Sequence, residues 1–372
     1  MSAYDQANRQ PAAFQAIVGL SCFCLTFVSI PLGGQCGESR RVRLVEESAN
    51  RIVRLQNDDG SWGVFRSAAP DVDQHLRLET TGVASLALVL ASDDRMVAST
   101  TAALSRGRGF MFPACRSLEG KANLTEGEER LLAIATLALL ESQEGGKRDQ
   151  EEFDEVTQYL RKLQQLLLHH ITMNARIPAM GWHCIVLDSA ARKEWPLAIA
   201  SLDDVKMRFA GVSRSYSAEE PWQLVVRSLL MDNRKVLIRE MQTTQEREGW
   251  VASFDNAVFC SVAYDRISCF YEVRDAAHRG PLIRVSSEGG KPLYDRPIWM
   301  KWHNKILERA LHRQEPLMDS EARPEPLVGW ERVEDARRGV SPEWRDIRVQ
   351  IMKCFLCELY FRRMLINAPP EQ

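Results

Sequence analysis

The sequence predicts an all-α fold made of repeated helical hairpins, and three observations carry that expectation. Its strong periodic segments repeat at three and four residues, the period of a helix, and not at the two-residue period of a strand. Amphipathic segments alternate with segments that are apolar almost all round. A glycine followed closely by an aromatic residue also punctuates the chain, at Gly60/Trp62, Gly109/Phe110, Gly181/Trp182, Gly249/Trp250 and Gly329/Trp330.

Taken in order, an amphipathic run from Leu44 to Leu55 leads to the first pair, and an apolar run from Val83 to Ala91 follows it. Leu131 to Leu140, reading LLAIATLALL, follows the second pair. Phe153, Val156, Leu160, Leu163 and Leu167 then share one helix face ahead of the third. Leu197 to Phe209 comes next as an inner helix, the most polar of its kind, with Asp203, Asp204, Lys206 and Arg208. Val226, Leu229, Leu230, Leu237 and Met241 outline an outer helix before the fourth pair, and Ala257 to Tyr271 an inner helix after it. Ile306, Leu307, Ala310 and Leu311, then Ile347 to Leu365, complete the series.

A helix apolar on nearly every side must be buried on nearly every side. One hairpin cannot bury its inner helix, so neighbours must stack, and the stack closes into a ring or curves as a solenoid. Glycine permits a turn that a side chain would obstruct, and the aromatic residue supplies an apolar plate between units. Arg66 to Leu78, Arg274 to Pro297 and Glu315 to Val328 carry Pro, Gly and charge and read as loops at the rim. Rim loops on a rigid scaffold are common places for binding.

The segment Leu55-Gln56-Asn57-Asp58-Asp59-Gly60-Ser61-Trp62 resembles the QW motif of squalene and oxidosqualene cyclases and their relatives. Gln245 and Gly249 repeat the Gln-x3-Gly spacing, with Trp250 directly after the glycine. The resemblance implies an α/α toroid of about five to six hairpins, the scaffold shared by the β subunits of protein prenyltransferases, over residues 40–368. It also implies that Gln56 and Gln245 tie their turns to the end of a neighbouring helix. It speaks to fold more than to chemistry, because that scaffold serves proteins of several activities.

The 372 residues suit one large repeat domain, and 45% apolar with 26% charged residues is ordinary for a globular chain. A net charge of −2 supplies no concentrated basic face, so nucleic acid is not an expected partner. Ala16 to Leu32 is an uncharged apolar run, and residues 1–36 read as a signal peptide or membrane anchor. That places the chain outside the cytoplasm, secreted, periplasmic or anchored, with membrane association through this segment. The nine cysteines are scattered, and Cys354/Cys357 form a CxxC inside an apolar helical run with no second CxxC. They read as buried structural thiols.

The expected chemistries of the resemblance need particular residues. A class II cyclase protonates an alkene with the central Asp of a DxDD cluster, and a class I cyclase holds magnesium with DDxxD. The sequence has neither. Its nearest approaches are Asp71 with Asp73, which lacks the final Asp, and Asp203 with Asp204, which has Ser201 where the first Asp belongs. The latter pair also fits the beginning or cap of a helical turn. A prenyltransferase zinc site needs Asp and Cys two residues apart, whereas Asp255 and Cys260 are five apart. His183-Cys184 is an adjacent pair, and His169 and His170 diverge on a helix, so the histidines read as solvated or capping. Walker A, GxGxxG, G-x-S-x-G and HExxH signatures are absent, so no metal or cofactor is expected.

The reading is a non-catalytic toroid protein binding a protein, peptide or lipid-like ligand at its concave centre or rim loops. The alternative is an isoprenoid-processing enzyme, a terpene cyclase or prenyltransferase-like protein, with Asp71, Asp73, Asp203 or Asp204 as a diverged acid. Two of those carboxylates facing an aromatic-lined cavity would favour the enzyme. A filled or polar centre would favour binding.

Overall fold

The computed structural model describes residues 46–63, 70–91, 97–143, 150–193, 195–213 and 220–230, with 255–256, 258–259 and 262–263. Among them the chain is all-helical and forms no strand ladder, only an isolated bridge between Gln56 and Trp62. The helices are α1 (46–54), α2 (Pro70–Ala91), α3 (Val97–Glu119), α4 (Glu126–Glu141), α5 (Gln150–Thr172), α6 (Ala179–Arg192), α7 (Pro196–Val212) and α8 (Pro221–Leu230).

They make two layers. In the inner layer α2 packs on α4, α4 on α6, and α6 on α8; in the outer layer α5 packs against α3 and α7. The sequence dictates this sorting. Leu131 to Leu140 is buried without exception, and so is all of α8, so these helices have protein around them on every side. In α5 only the stripe Val156, Tyr159, Leu160, Leu163, Leu167 and Ile171 is buried, and its other face meets solvent. None of the described helices is long and apolar enough to cross a membrane. The run from Ala16 to Leu32 lies outside the described residues.

The Gln56–Trp62 turn locks α1 onto α2 and α3. The Gln56 side-chain amide donates to the carbonyls of Gly60 (2.9 Å) and Ala103 (2.8 Å), and its oxygen accepts from the Arg106 Nε (3.0 Å). It therefore ties the turn to the flank of α3 and not to a helix end, which corrects the expectation drawn from the family. Asp59 accepts from the backbone N–H (3.1 Å) and hydroxyl (2.7 Å) of Ser61, a local Asx arrangement that shapes the turn. Gly60 has φ +86°, and a Cβ there would strike the Arg106 carbonyl of α3. Gly60→Ala is expected to lose about 1–3 kcal/mol from the backbone alone, with the clash added. A denaturant titration with an unchanged midpoint would contradict this close approach.

Two of the expected Gly-aromatic turns are helix interior. Gly109 and Phe110 lie within α3, where Ala103, Gly107, Met111, Cys115 and Leu118 continue one buried stripe straight through them. Burial of that stripe outweighs the roughly 1 kcal/mol that a helical glycine costs. The glycine that matters for packing is Gly107, whose Cβ would lie 3.0 Å from the Trp62 ring. Nothing lies within 4 Å of a Cβ at Gly109, so Gly109→Ala should stabilise the protein by about 0.5–1 kcal/mol. A lower melting temperature for that variant would restore the turn.

Gly181 and Trp182 sit in the first turn of α6, and the true connection is Met173 to Pro178, with Asn174 at φ +50°. The hairpin phase therefore shifts. Ala179–Arg192 is the third inner helix, whereas Pro196–Val212, expected inside, is an outer one. Asp188 and Ser189 disguised α6 as polar, yet both are buried. For the same reason α8 belongs to the inner layer, where an outer helix was expected. The anticipated rim loop from Arg66 to Leu78 becomes helix at Pro70, because proline suits the first helical turn. Within the expected inner helix Ala257 to Tyr271, the described residues are helical, and Val258, Phe259, Val262 and Ala263 are buried.

Candidate functional site

The polar residues of the inner layer gather where the starts of α4 and α6 meet the end of α5. Thr125 caps α4: its hydroxyl accepts from the Glu128 N–H (3.3 Å), and Glu128 accepts from the Thr125 N–H (2.8 Å). Lys121, 2.6 Å from Glu128, and then the cap backbone hold the Glu128 carboxyl down at about 2. With the helix start fixed, the next two residues, Glu129 and Arg130, point about 100° apart around the axis.

Glu129 points between α5 and α6 and is 4% exposed. Its Oε2 lies 2.8 Å from the His170 Nε2 and 3.5 Å from the His183 Nε2. The two imidazole rings are 6.2 Å apart and nearly parallel. His183 has no exposure, and neither of its ring nitrogens makes a hydrogen bond. Burial, then the neighbouring His170, pushes its pKa down to about 3. The Glu129 carboxylate would favour a charged ring, but removal from water outweighs a contact too long to be a good hydrogen bond.

Arg130 points to the other side of α4. Its Nε and Nη2 meet the two carboxylate oxygens of Asp255 at 2.6 and 2.8 Å, and Nη2 also reaches Glu79 at 3.0 Å. This fork joins α2, α4 and the 255–263 segment. Beside it, a Cβ on Gly181 would lie 2.9 Å from the Phe259 ring, which meets Trp182 edge-on at 5.5 Å. At the far ends of α4 and α6, Glu141 accepts from Ser189 and pairs with Lys193 at 3.2 Å.

Chemically, the Glu129 cluster sets a buried carboxylate within hydrogen-bond distance of the His170 imidazole. Among the described residues no group of three His, Cys, Asp or Glu is arranged to hold a metal ion. The expected acids are placed elsewhere. Asp203 and Asp204 are exposed in the middle of α7, neither beginning nor capping it. Asp71 and Asp73 lie in the first turn of α2, and their side chains are outside the described residues, as are Gln245, Gly249 and Trp250 entirely. Gln56, Gly60 and Trp62 come together as one packed unit. His169 is exposed while His170 turns inward, the divergence their adjacency implied, but His170 and His183 are neither solvated nor simple caps. Cys115 and Cys184 are free, buried thiols whose pKa burial pushes well above the usual range.

Sequence reasoning missed Glu129 and Arg130. The available signal was two opposite charges directly ahead of LLAIATLALL, in a helix that had to be buried all round.

No family model, curated protein or solved structure matches this chain. Its class is therefore what its own geometry defines: among the described residues, an all-helical protein of two packed layers with a polar cluster inside.

Proposed function

We propose that this chain is a non-catalytic repeat scaffold of the α/α-toroid kind that binds a protein, peptide or lipid-like ligand at its concave centre or rim. What supports the reading is that the polar groups between the inner helices are taken up by ion pairs and packing: Arg130 is bonded between Glu79 and Asp255, with Phe259 edge-on to Trp182. The use of Gln56, Gly60 and Trp62 in packing supports kinship with the prenyltransferase/squalene-cyclase repeats, where the same residue types serve the scaffold. The exposed position of Asp203 and Asp204 gives an isoprenoid no acid on α7 to meet inside. The apolar run from Ala16 to Leu32 supports export or anchoring, and membrane fractionation with N-terminal sequencing tests it. Full-length protein wholly in the cytosol would contradict it.

One observation favours the second reading, an enzyme: Glu129 is buried beside two imidazoles, residue types that general acid–base catalysis uses. Quantitative mass spectrometry of proteins and lipids retained by the natively purified chain tests the binding function. One defined protein or lipid class should be retained at near-stoichiometric level over a mock purification. Bare protein, with and without detergent, would contradict it.

A further inference from the structure

We propose that Asn123 is the acceptor for an N-linked glycan, added as the chain enters the export route. This goes beyond the binding function and rests on the export reading proposed above. Asn123-Leu124-Thr125 is the only Asn-x-Ser/Thr triplet in the 372 residues, and its middle residue is not the proline that bars transfer. The triplet falls in the connection between α3 and α4, whose start is held in place. There the Gly120 and Lys121 N–H groups donate to the Arg116 and Leu118 carbonyls at 3.1 Å, and the Lys162 Nζ donates to the Lys121 carbonyl at 2.8 Å. Leu124 packs against the core, while Asn123 beside it is exposed. A Cβ on Gly127, in the first turn of α4, would meet nothing within 4 Å, so the surface next to the acceptor is open.

In the transfer, the Asn123 carboxamide nitrogen bonds to C1 of a sugar delivered as a lipid-linked diphosphate. The C1–O bond breaks, the lipid diphosphate leaves with the electron pair, and the amide gives one proton to a base of the transferase. The triplet's hydroxyl must be open to that transferase, and Thr125 supplies it. In the folded chain this hydroxyl accepts from the Glu128 N–H at 3.3 Å and donates to the Glu128 carboxylate at 3.0 Å. Transfer therefore precedes closure of the cap, while the segment is still extended. Afterwards the glycan projects from an exposed connection and displaces no packed side chain.

The test expresses the full chain in a eukaryotic secretory cell, once with its own N-terminus and once with residues 1–36 replaced by an established secretory leader. Peptide-N-glycosidase should increase the gel mobility of both proteins and convert the Asn123 amide to a carboxylate, read by mass spectrometry of the peptide. Asn123→Gln should abolish the mobility change. Site-resolved mass spectrometry of the wild-type peptide keeps the result independent of how that variant folds. Asn123 unmodified in both proteins, or a mobility change that survives Asn123→Gln, would overturn the site. Modification only with the replaced leader would overturn export by the chain's own N-terminus and leave the acceptor standing.

Discussion

Trp62→Ala lowers the free energy of unfolding by about 3–5 kcal/mol, the range for truncating a large buried aromatic residue. Trp62 has no exposure and is among the largest fully buried side chains. Its indole N–H donates to the Ile52 carbonyl at 2.7 Å, and its backbone N–H to the Thr81 hydroxyl at 3.1 Å. Its ring lies against Gly107, so the residue joins α1 and α3 through its side chain and α2 through its backbone. Alanine leaves a cavity between the helices and takes from the Ile52 carbonyl one of its two donors, the other being the Leu55 N–H at 3.2 Å. Urea titration followed by circular dichroism measures the loss; an unchanged midpoint would place Trp62 at the surface.

The second large effect is acid sensitivity at His183. The ring titrates near 6.5 in an unfolded chain and at about 3 when folded. Between those values the unfolded state binds the proton and the folded state does not, so stability rises with pH across the window. It is fully present above about 6.5 and falls by about 1.4 kcal/mol per unit as pH drops towards about 3. The groups facing the ring are Glu129 on α4 and His170 on α5. His183→Leu should flatten the slope between pH 6 and pH 4 in stability measured by urea. An identical slope in that variant would show that the folded ring is not held neutral.

Much of the helical architecture was legible because burial writes a period into the chain. Val83 to Ala91, Leu131 to Leu140 and the stripe from Val156 to Leu167 each had one physical solution, and the structure adopts it. The hairpin phase was less legible. A glycine beside an aromatic residue looks the same whether it bends the chain, as Gly60 does, or rides inside a helix, as Gly109 does. Only the stripe running through it from Ala103 to Leu118 decides, and that requires weighing some fifteen residues at once. The polar cluster was hidden by distance. Glu129 acquires its meaning from His170, 41 residues away, and from His183 further on, which only the packing of α5 and α6 supplies. In the same way Gln56 was expected to tie its turn to a neighbouring helix, but which point on that helix was hidden, since the partner, Ala103, lies 47 residues on.

The central proposal is that this chain binds a ligand and does not catalyse. A cyclase needs a carboxyl made strong by its neighbours, and a prenyltransferase needs a metal or equivalent to lower a thiol's pKa. The most direct measurement is incubation of the purified protein with squalene, or with geranylgeranyl diphosphate and a thiol acceptor, each with and without Mg²⁺ and Zn²⁺, followed by mass spectrometry of the products. The account predicts substrate recovered unchanged above a heat-treated control. Turnover that disappears in Asp73→Asn, Asp203→Asn or Glu129→Gln protein, with folding intact by circular dichroism, would contradict it and establish the enzyme.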